Sequence, residues 1–376
     1  MKNFLISFSV ALLCSMLLCG GCGSCRNNNG SNNSGRSSEA NALLQQLSNT
    51  IQRGFMFGHH DDPVYGHIWY LDSGRSDVKE VCGDMPALLS FDLGRIEFAR
   101  ENPDGFAAAD SNLDRVPFSR MREEIIKHYE KGGVITLSWH AANPITGGGS
   151  WDIGDSSVQT ILYGGSNHEK FLQWLDNIAA FVNSIKTAEG VKIPIIFRPY
   201  HENTGFWFWW GAKHCTPEQY KDLWAMTYKR LQKKGASQLL YAYSPQELTD
   251  TTHYLERYPG DNIIDIIGTD LYQFNDSVYQ AALPQQLQII TDIASAHGKI
   301  AALTETGLEG ITDTLWWTQK LLPAVKKYPL AWVLVWRNAC DNPKHFYAPY
   351  PGQLSAPDFI EFYNHHRTLF LKDTRL

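Results

Sequence analysis

The sequence predicts a single (β/α)8 TIM barrel with long loops on the face where the strands end, and three observations carry that expectation. Eight short runs rich in β-branched and aromatic residues recur along the chain, each followed by a helical pattern or a loop. The runs are apolar throughout instead of alternating, as parallel strands covered by helices require. Polar residues then collect just past the runs: His59, His60, Asp92, His140, Asn143, Arg198, His201, Glu202, Tyr272, Glu305, Trp336 and Arg337. In a barrel those ends share one face, and that face carries the chemistry. A doubly wound sheet would want a glycine-rich phosphate turn after its first strand, and none follows residues 55–57. No internal repeat is visible, which excludes a solenoid or a propeller.

Leu43, Leu44, Leu47 and Ile51 stand at helical spacing, so residues 40–53 read as an opening helix stopped by Gly54. Residues 55–57 form the first strand, 76–81 a short helix and 87–91 the second strand. An amphipathic helix over 117–130 buries Met121, Ile125 and Ile126 on one face and leads into the third strand, 133–138. Residues 144–165 make a long glycine-rich excursion with Trp151 and Asp152; loops of that length in compact domains are usually functional. A helix over 171–185 precedes the fourth strand, built on Ile193, Ile195, Ile196 and Phe197. Thr216 caps the next helix, 216–232, with Pro217 in its first turn. The fifth strand is 239–243 and the sixth 263–269. A helix follows at 287–296, then the seventh strand at 300–304, a helix at 312–326, the eighth strand at 331–335 and a last helix at 357–365.

Residues 1–22 read as a lipoprotein-type signal peptide. Lys2 precedes an apolar run from Phe4 to Leu18, and Gly20-Gly21 precedes Cys22, the cysteine that would be lipidated, with Cys19, Cys25 or a plain secretory signal as the alternatives. Residues 23–38 are an Asn/Ser/Gly tether that cannot bury enough surface to order itself, and 39–376 are the catalytic domain. These features imply an exported protein whose contact with a membrane is a lipid anchor at Cys22. The tether has no acidic run after that cysteine, which favours the periplasmic face over the cell surface.

The chain of 376 residues suits one barrel with insertions. Its net charge of -6 argues against a nucleic-acid partner. Of 7 cysteines, Cys14, Cys19, Cys22 and Cys25 lie in the leader region. Cys82, Cys215 and Cys340 are far apart in sequence, allow at most one disulfide, and form no CxxC pair of the kind zinc ribbons use.

The chemistry centres on Ile195 to Gly211, IIFRPYHENTGFWFWWG. A buried strand that ends in Arg198, His201 and Glu202 delivers charge to a mouth. The aromatic run behind it, Phe206 to Trp210, suggests a surface for the flat apolar faces of sugars. Glu305, after the seventh strand, supplies a second carboxylate. Two such groups flanking a glycosidic bond can act as proton donor and nucleophile, provided their surroundings hold one protonated and one ionised. Arg198 or Tyr272 is expected to keep Glu305 ionised, and an aromatic wall to keep Glu202 protonated.

RPYHENTGFWFWWG, the TETG around Glu305, GGVITLSWHAANP and VWRNA together resemble glycoside hydrolase family 26 over roughly residues 54–365. The resemblance implies a barrel with Glu202 as acid/base and Glu305 as nucleophile, acting by retaining double displacement on β-1,4-mannosidic linkages of mannan, galactomannan or glucomannan. Some members release mannobiose; a minority cleave mixed-linkage glucans or β-1,3-xylans. It further implies that His201 contacts the nucleophile and the sugar at the cleavage site and that Tyr272 donates to the nucleophile. Trp336 would floor the reacting sugar and Trp207 the leaving-group side. His140 and Asn143 would contact the non-reducing side, and Arg337 one sugar further out; Arg198 supports the glutamates. No metal or organic cofactor is implied, and the expected partner is a β-mannan chain bound by a monomer. Two alternatives stand beside this: a mixed-linkage β-glucanase of the same family, and a non-catalytic glycan-binding lipoprotein. A metal-dependent hydrolase is disfavoured, because His59 and His60 are adjacent on a strand and point opposite ways.

Overall fold

The structure is a computed structural model that describes residues 35–99, 110–154 and 156–374. The expected signal peptide, its cysteines and the tether as far as residue 34 lie outside the described residues. Eight parallel strands, in chain order, form one sheet: β1 Phe55–His60, β2 Leu88–Asp92, β3 Val134–Trp139, β4 Ile195–Pro199, β5 Leu239–Tyr243, β6 Ile266–Tyr272, β7 Ile300–Gly307 and β8 Leu330–Val335. Each pairs with its neighbour in sequence, and β8 pairs back onto β1 from Met56–Trp332 to His59–Val335, which closes the barrel. A two-residue strand, Thr368–Leu369, adds to the start of β1.

Alternation along the strands sorts the core into two parts. Met56, Leu88, Val134, Ile196, Leu240, Ile266, Trp332 and Leu334 point inward and fill the barrel. Phe57, Leu89, Ile135, Leu137, Phe197, Tyr241, Ile267 and Val333 point outward into the layer shared with the helices. The opening helix, Ser38–Arg53, plugs the lower end by adding Ala40, Leu43 and Leu47 to the inner cluster. It starts two residues before the expected Ala40 because Ser37 supplies the cap, its side chain accepting from Ala40 N. Arg36 adds an ion pair with Asp265.

Two helices depart from their expected form. The helix expected over 287–296 runs from Asp276 to His297, capped by Asn275, with Pro284 inside it. Proline normally marks a helix boundary, so the sequence hides the first half. The helix expected over 312–326 is instead a π-helix, Trp316–Leu321, followed by a short α-helix, Leu322–Val325. The wider turn lets two consecutive indoles face inward: Trp316 donates to Gln273 and Trp317 to Ser355, and both are fully buried.

Replacing Leu47 with Ala should lower unfolding free energy by about 2–5 kcal/mol, the cost of a cavity in a packed core. Chemical denaturation measures that loss. Because Leu47 sits at the end of the barrel opposite the strand C-termini, kcat on any substrate should be unchanged.

Candidate active site

The upper half of the barrel interior is polar. The inward positions that follow the apolar layer are His60, Asp92, Ser138, His140, Arg198, Ser244 and Asp270, all nearly inaccessible to solvent. Two breaks in the strand rhythm bring the glutamates into this layer. On β7, Ile300 and Ala302 point inward, so strict alternation would send Glu305 out. The β6–β7 register slips between the pairs Thr269–Leu303 and Asp270–Glu305, and that bulge turns Glu305 inward. After β4, Tyr200 and Glu202 both take left-handed backbone, each with φ 53. Tyr200 then packs outside the barrel with its hydroxyl on Thr227, while His201 and Glu202 reach the mouth. Non-glycine residues held this way cost energy and cluster at active sites.

One oxygen from each of Glu202, Asp270 and Glu305 lies within 4.8 Å of the other two. Arg198, 2 % exposed, is set among them. Its guanidinium donates to Asp270 at 2.8 Å, to Ser244 at 3.0 Å and to Glu305 Oε1. Tyr272 donates to the other oxygen of Glu305 at 2.6 Å. Among the described residues Glu202 receives one side-chain donor, Trp207 Nε1, at 2.8 Å. Burial, with the negative charges of Asp270 and Glu305 next to it, pushes the Glu202 carboxyl well above the ordinary carboxylate range. The two glutamates therefore have different surroundings: Glu305 has a cation and a phenol, Glu202 an indole and two like charges.

A cavity of about 760 Å³ opens above them. Its contacts form a row. Trp207 stands by Glu202; His201 Nε2 is 3.2 Å from His140 Nε2; the His140 and Trp336 rings are 5.9 Å apart; and Trp336 stacks on His60 at 3.9 Å. Arg337 ends the row, paired with Asp114 at 3.1 Å. His140, His201, Trp207, Tyr272, Trp336 and Arg337 thus line one cavity with both glutamates.

Asn143 is not part of that lining. It is fully buried and organises its own loop, donating to the Asp152 carbonyl and to Ser157 and accepting from Ile145 and Thr146. An asparagine at the start of a long loop satisfies backbone groups that would otherwise be orphaned. The aromatic run also divides. Phe206 is exposed and Trp207 partly so, but Trp209 and Trp210 are fully buried. They act as struts, donating to the carbonyls of Ala141 and His201 and so fixing the backbone beside both cavity histidines.

His59 and His60 separate as adjacent strand residues must. His59 bonds Asp62 at 2.9 Å, while His60 faces the cavity side under Trp336. Cys82, Cys215 and Cys340 are free thiols. Trp151, from the glycine-rich excursion expected to be functional, is 56 % exposed and stacks on His140. Several other lining residues carry no sequence signal of a role. Asp114, Phe274, His345 and Tyr347 come from loops without a motif. Asp92 and Asp270 are visible as strand-end acids, but their partners are not.

Residues 32–346 match the sequence model of glycosyl hydrolase family 26. The chain belongs to that family. A GH26 β-mannanase from Bacteroides ovatus of known structure is 53% identical, with a TM-score of 0.86 over 90% of this chain and 96% of that one. The catalytic domain of a GH26 endo-β-1,4-mannanase from Bacillus sp. JAMB-750 is 34% identical, with a TM-score of 0.81 over 90% and 93%. Among curated relatives, a mannan endo-1,4-β-mannosidase of Bifidobacterium adolescentis is 32% identical over 89% of this family 26 chain, which spans 34% of that longer protein. A second, from Thermothelomyces thermophilus, is 26% identical; 83% of this chain and 58% of that protein are matched.

Removing the Arg198 guanidinium leaves two buried acids without their cation. Arg198→Gln should therefore destabilise the fold by about 3–5 kcal/mol in urea unfolding. Arg198→Lys should recover part of that loss, because a single ammonium cannot reach Asp270, Ser244 and Glu305 in the same fork geometry.

Proposed function

We propose that this family 26 protein is a retaining β-mannanase that cuts β-1,4-mannosidic linkages and releases mannobiose. The observation that carries the reading is the pair Glu202 and Glu305, with oxygens within 4.8 Å and unlike surroundings. So close an approach of the two carboxyl groups supports the narrow spacing, ~5–5.5 Å, at which retaining enzymes work. The names of the relatives support mannan as the substrate.

In the first step the Glu305 carboxylate, aimed by Arg198 and Tyr272, attacks the anomeric carbon. The bond from that carbon to the glycosidic oxygen breaks, and Glu202 gives its proton to the departing oxygen. In the second, Glu202 takes a proton from water, the hydroxide adds to the same carbon, and the ester to Glu305 breaks. Two inversions leave the configuration as it began. Trp336, lying flat on His60, offers an indole face to the reacting sugar, and Trp207 another on the leaving-group side. Mannobiose as product is supported by the far end of the row. There Asp114 pairs with Arg337, and Arg115 reaches Asp341 at 2.7 Å, joining the loops after β2 and β8.

The protein is proposed to act as a monomer. The Gly20-Gly21-Cys22 leader supports export and a lipid anchor on the periplasmic side; incorporation of labelled palmitate, lost in Cys22→Ala, tests it.

The following measurements test the enzymatic reading. Glu305→Ala and Glu202→Ala should each lower kcat on mannan by roughly a thousandfold or more; near-normal activity in either would overturn the assignment. NMR of fresh products should show the β-anomer first, and mannohexaose should give mannobiose from the earliest time point. Faster release of reducing ends from mixed-linkage glucan than from mannan would replace the substrate. Finally, Trp207→Phe removes a hydrogen bond that favours the Glu202 anion. The acid then holds its proton to higher pH, so the alkaline limb of kcat/KM should move upward.

A further inference from the structure

We propose that Asp92 is a positioning residue that sets the hydrogen-bond direction of a two-histidine chain leading into the reaction centre. This inference rests on Glu202 and Glu305 being the reacting pair. Asp92 ends β2, is 1 % exposed and touches neither glutamate. Its carboxylate accepts from Ser138 Oγ at 2.7 Å, Gly94 N at 2.7 Å, His140 N at 3.2 Å and His140 Nδ1 at 2.8 Å. The Ser138, Gly94 and His140 backbone contacts fix the carboxylate in place; the contact to Nδ1 gives the arrangement a chemical consequence.

A carboxylate can only accept here, so His140 Nδ1 must carry a hydrogen. The other nitrogen, Nε2, faces His201 Nε2 at 3.2 Å, and two ring nitrogens share one hydrogen between them. If His140 is an imidazolium, its Nε2 donates, and neutral His201 keeps its hydrogen on Nδ1. That Nδ1 is buried and has no partner among the described residues. His201 lines the cavity beside Glu202 and Glu305. The chain Asp92, His140, His201 thus ends in a buried donor with no partner among the described residues, on a residue that lines the cavity.

The surrounding charges favour this assignment. The groups facing His140 are Asp92 from β2, Glu305 from β7, Arg198 and His201 from the β4 segment, His60 from β1 and Asp114. Burial opposes a charge on His140, but Asp92 and then Glu305 outweigh it and raise its pKa. Burial, Arg198 and His140 push His201 well below the ordinary imidazole value. Of the pair, His140 is the one that takes the proton. Its charge then also sits opposite the Glu305 carboxylate.

Imidazole ¹⁵N chemical shifts of the full-length protein test this without any variant. At pH 6, His140 should show both nitrogens protonated, and His201 should be the neutral Nδ1–H tautomer. Assignments come from His140→Gln and His201→Gln. In Asp92→Asn the charge is lost but the shape is kept, so the His140 imidazolium should titrate away at lower pH. kcat should fall by roughly tenfold to a hundredfold while KM changes little, a split that loosened packing would not give. A neutral His140 at pH 6, or an unchanged titration and kcat in Asp92→Asn, would overturn the proposal. The same shifts measured in Glu202→Gln should match those of the unsubstituted protein. If Glu202→Gln and Glu305→Gln keep full activity, the two-glutamate reading fails instead, and the histidine assignment is judged on the shifts alone.

Discussion

The site depends on one buried guanidinium. Arg198 is almost sealed from solvent, and a cation there is tolerable because Asp270 and Glu305 both bind it. Each acid in turn needs Arg198, since a buried carboxylate without a partner would neutralise itself by taking a proton. Three strands, β4, β6 and β7, are tied together by this set. Ser244 after β5 and Thr304 on β7 fill remaining hydrogen-bond positions on the same groups. The arrangement is worth more as geometry than as stability, because desolvating three charges consumes most of what their attraction returns.

Once that cluster exists, the fate of Glu202 follows. It lies close to two carboxyl groups already committed to Arg198, and its own donor is a neutral indole. Like charge and burial favour its protonated form. The two glutamates are thus distinguished by which of them the arginine reaches, not by residue type. Tyr272 reinforces the distinction by donating to the second oxygen of Glu305.

Strain and support are paired around the mouth. The left-handed residues Tyr200 and Glu202 flank His201, and the Trp210 indole bonds the His201 carbonyl between them. Tyr220 bonds the Tyr200 carbonyl at 2.7 Å. Backbone held off its preferred basin persists where neighbours over-determine it, and here two aromatic donors do so. Trp209 performs the same service for the segment that carries His140. Packing tryptophans behind the cleft therefore bear on function even though they meet no substrate.

Much of this was legible in the sequence. Eight apolar runs and their spacing determine a closed parallel barrel, because continuous β-branched strands must be covered on both faces. Charged residues placed after those runs determine which end is the mouth, and the segments around Glu202 and Glu305 determine the family. Direction within the site was decided by tertiary structure alone. Glu305 faces inward because of a bulge that strict alternation forbids, and Asn143 turns away because its loop needs its amide. Asp92 acquires its partners only when β2 and β3 lie side by side. Sequence spacing reports periodicity, and each of these features is a local departure from it, set by hydrogen bonds between segments far apart in the chain.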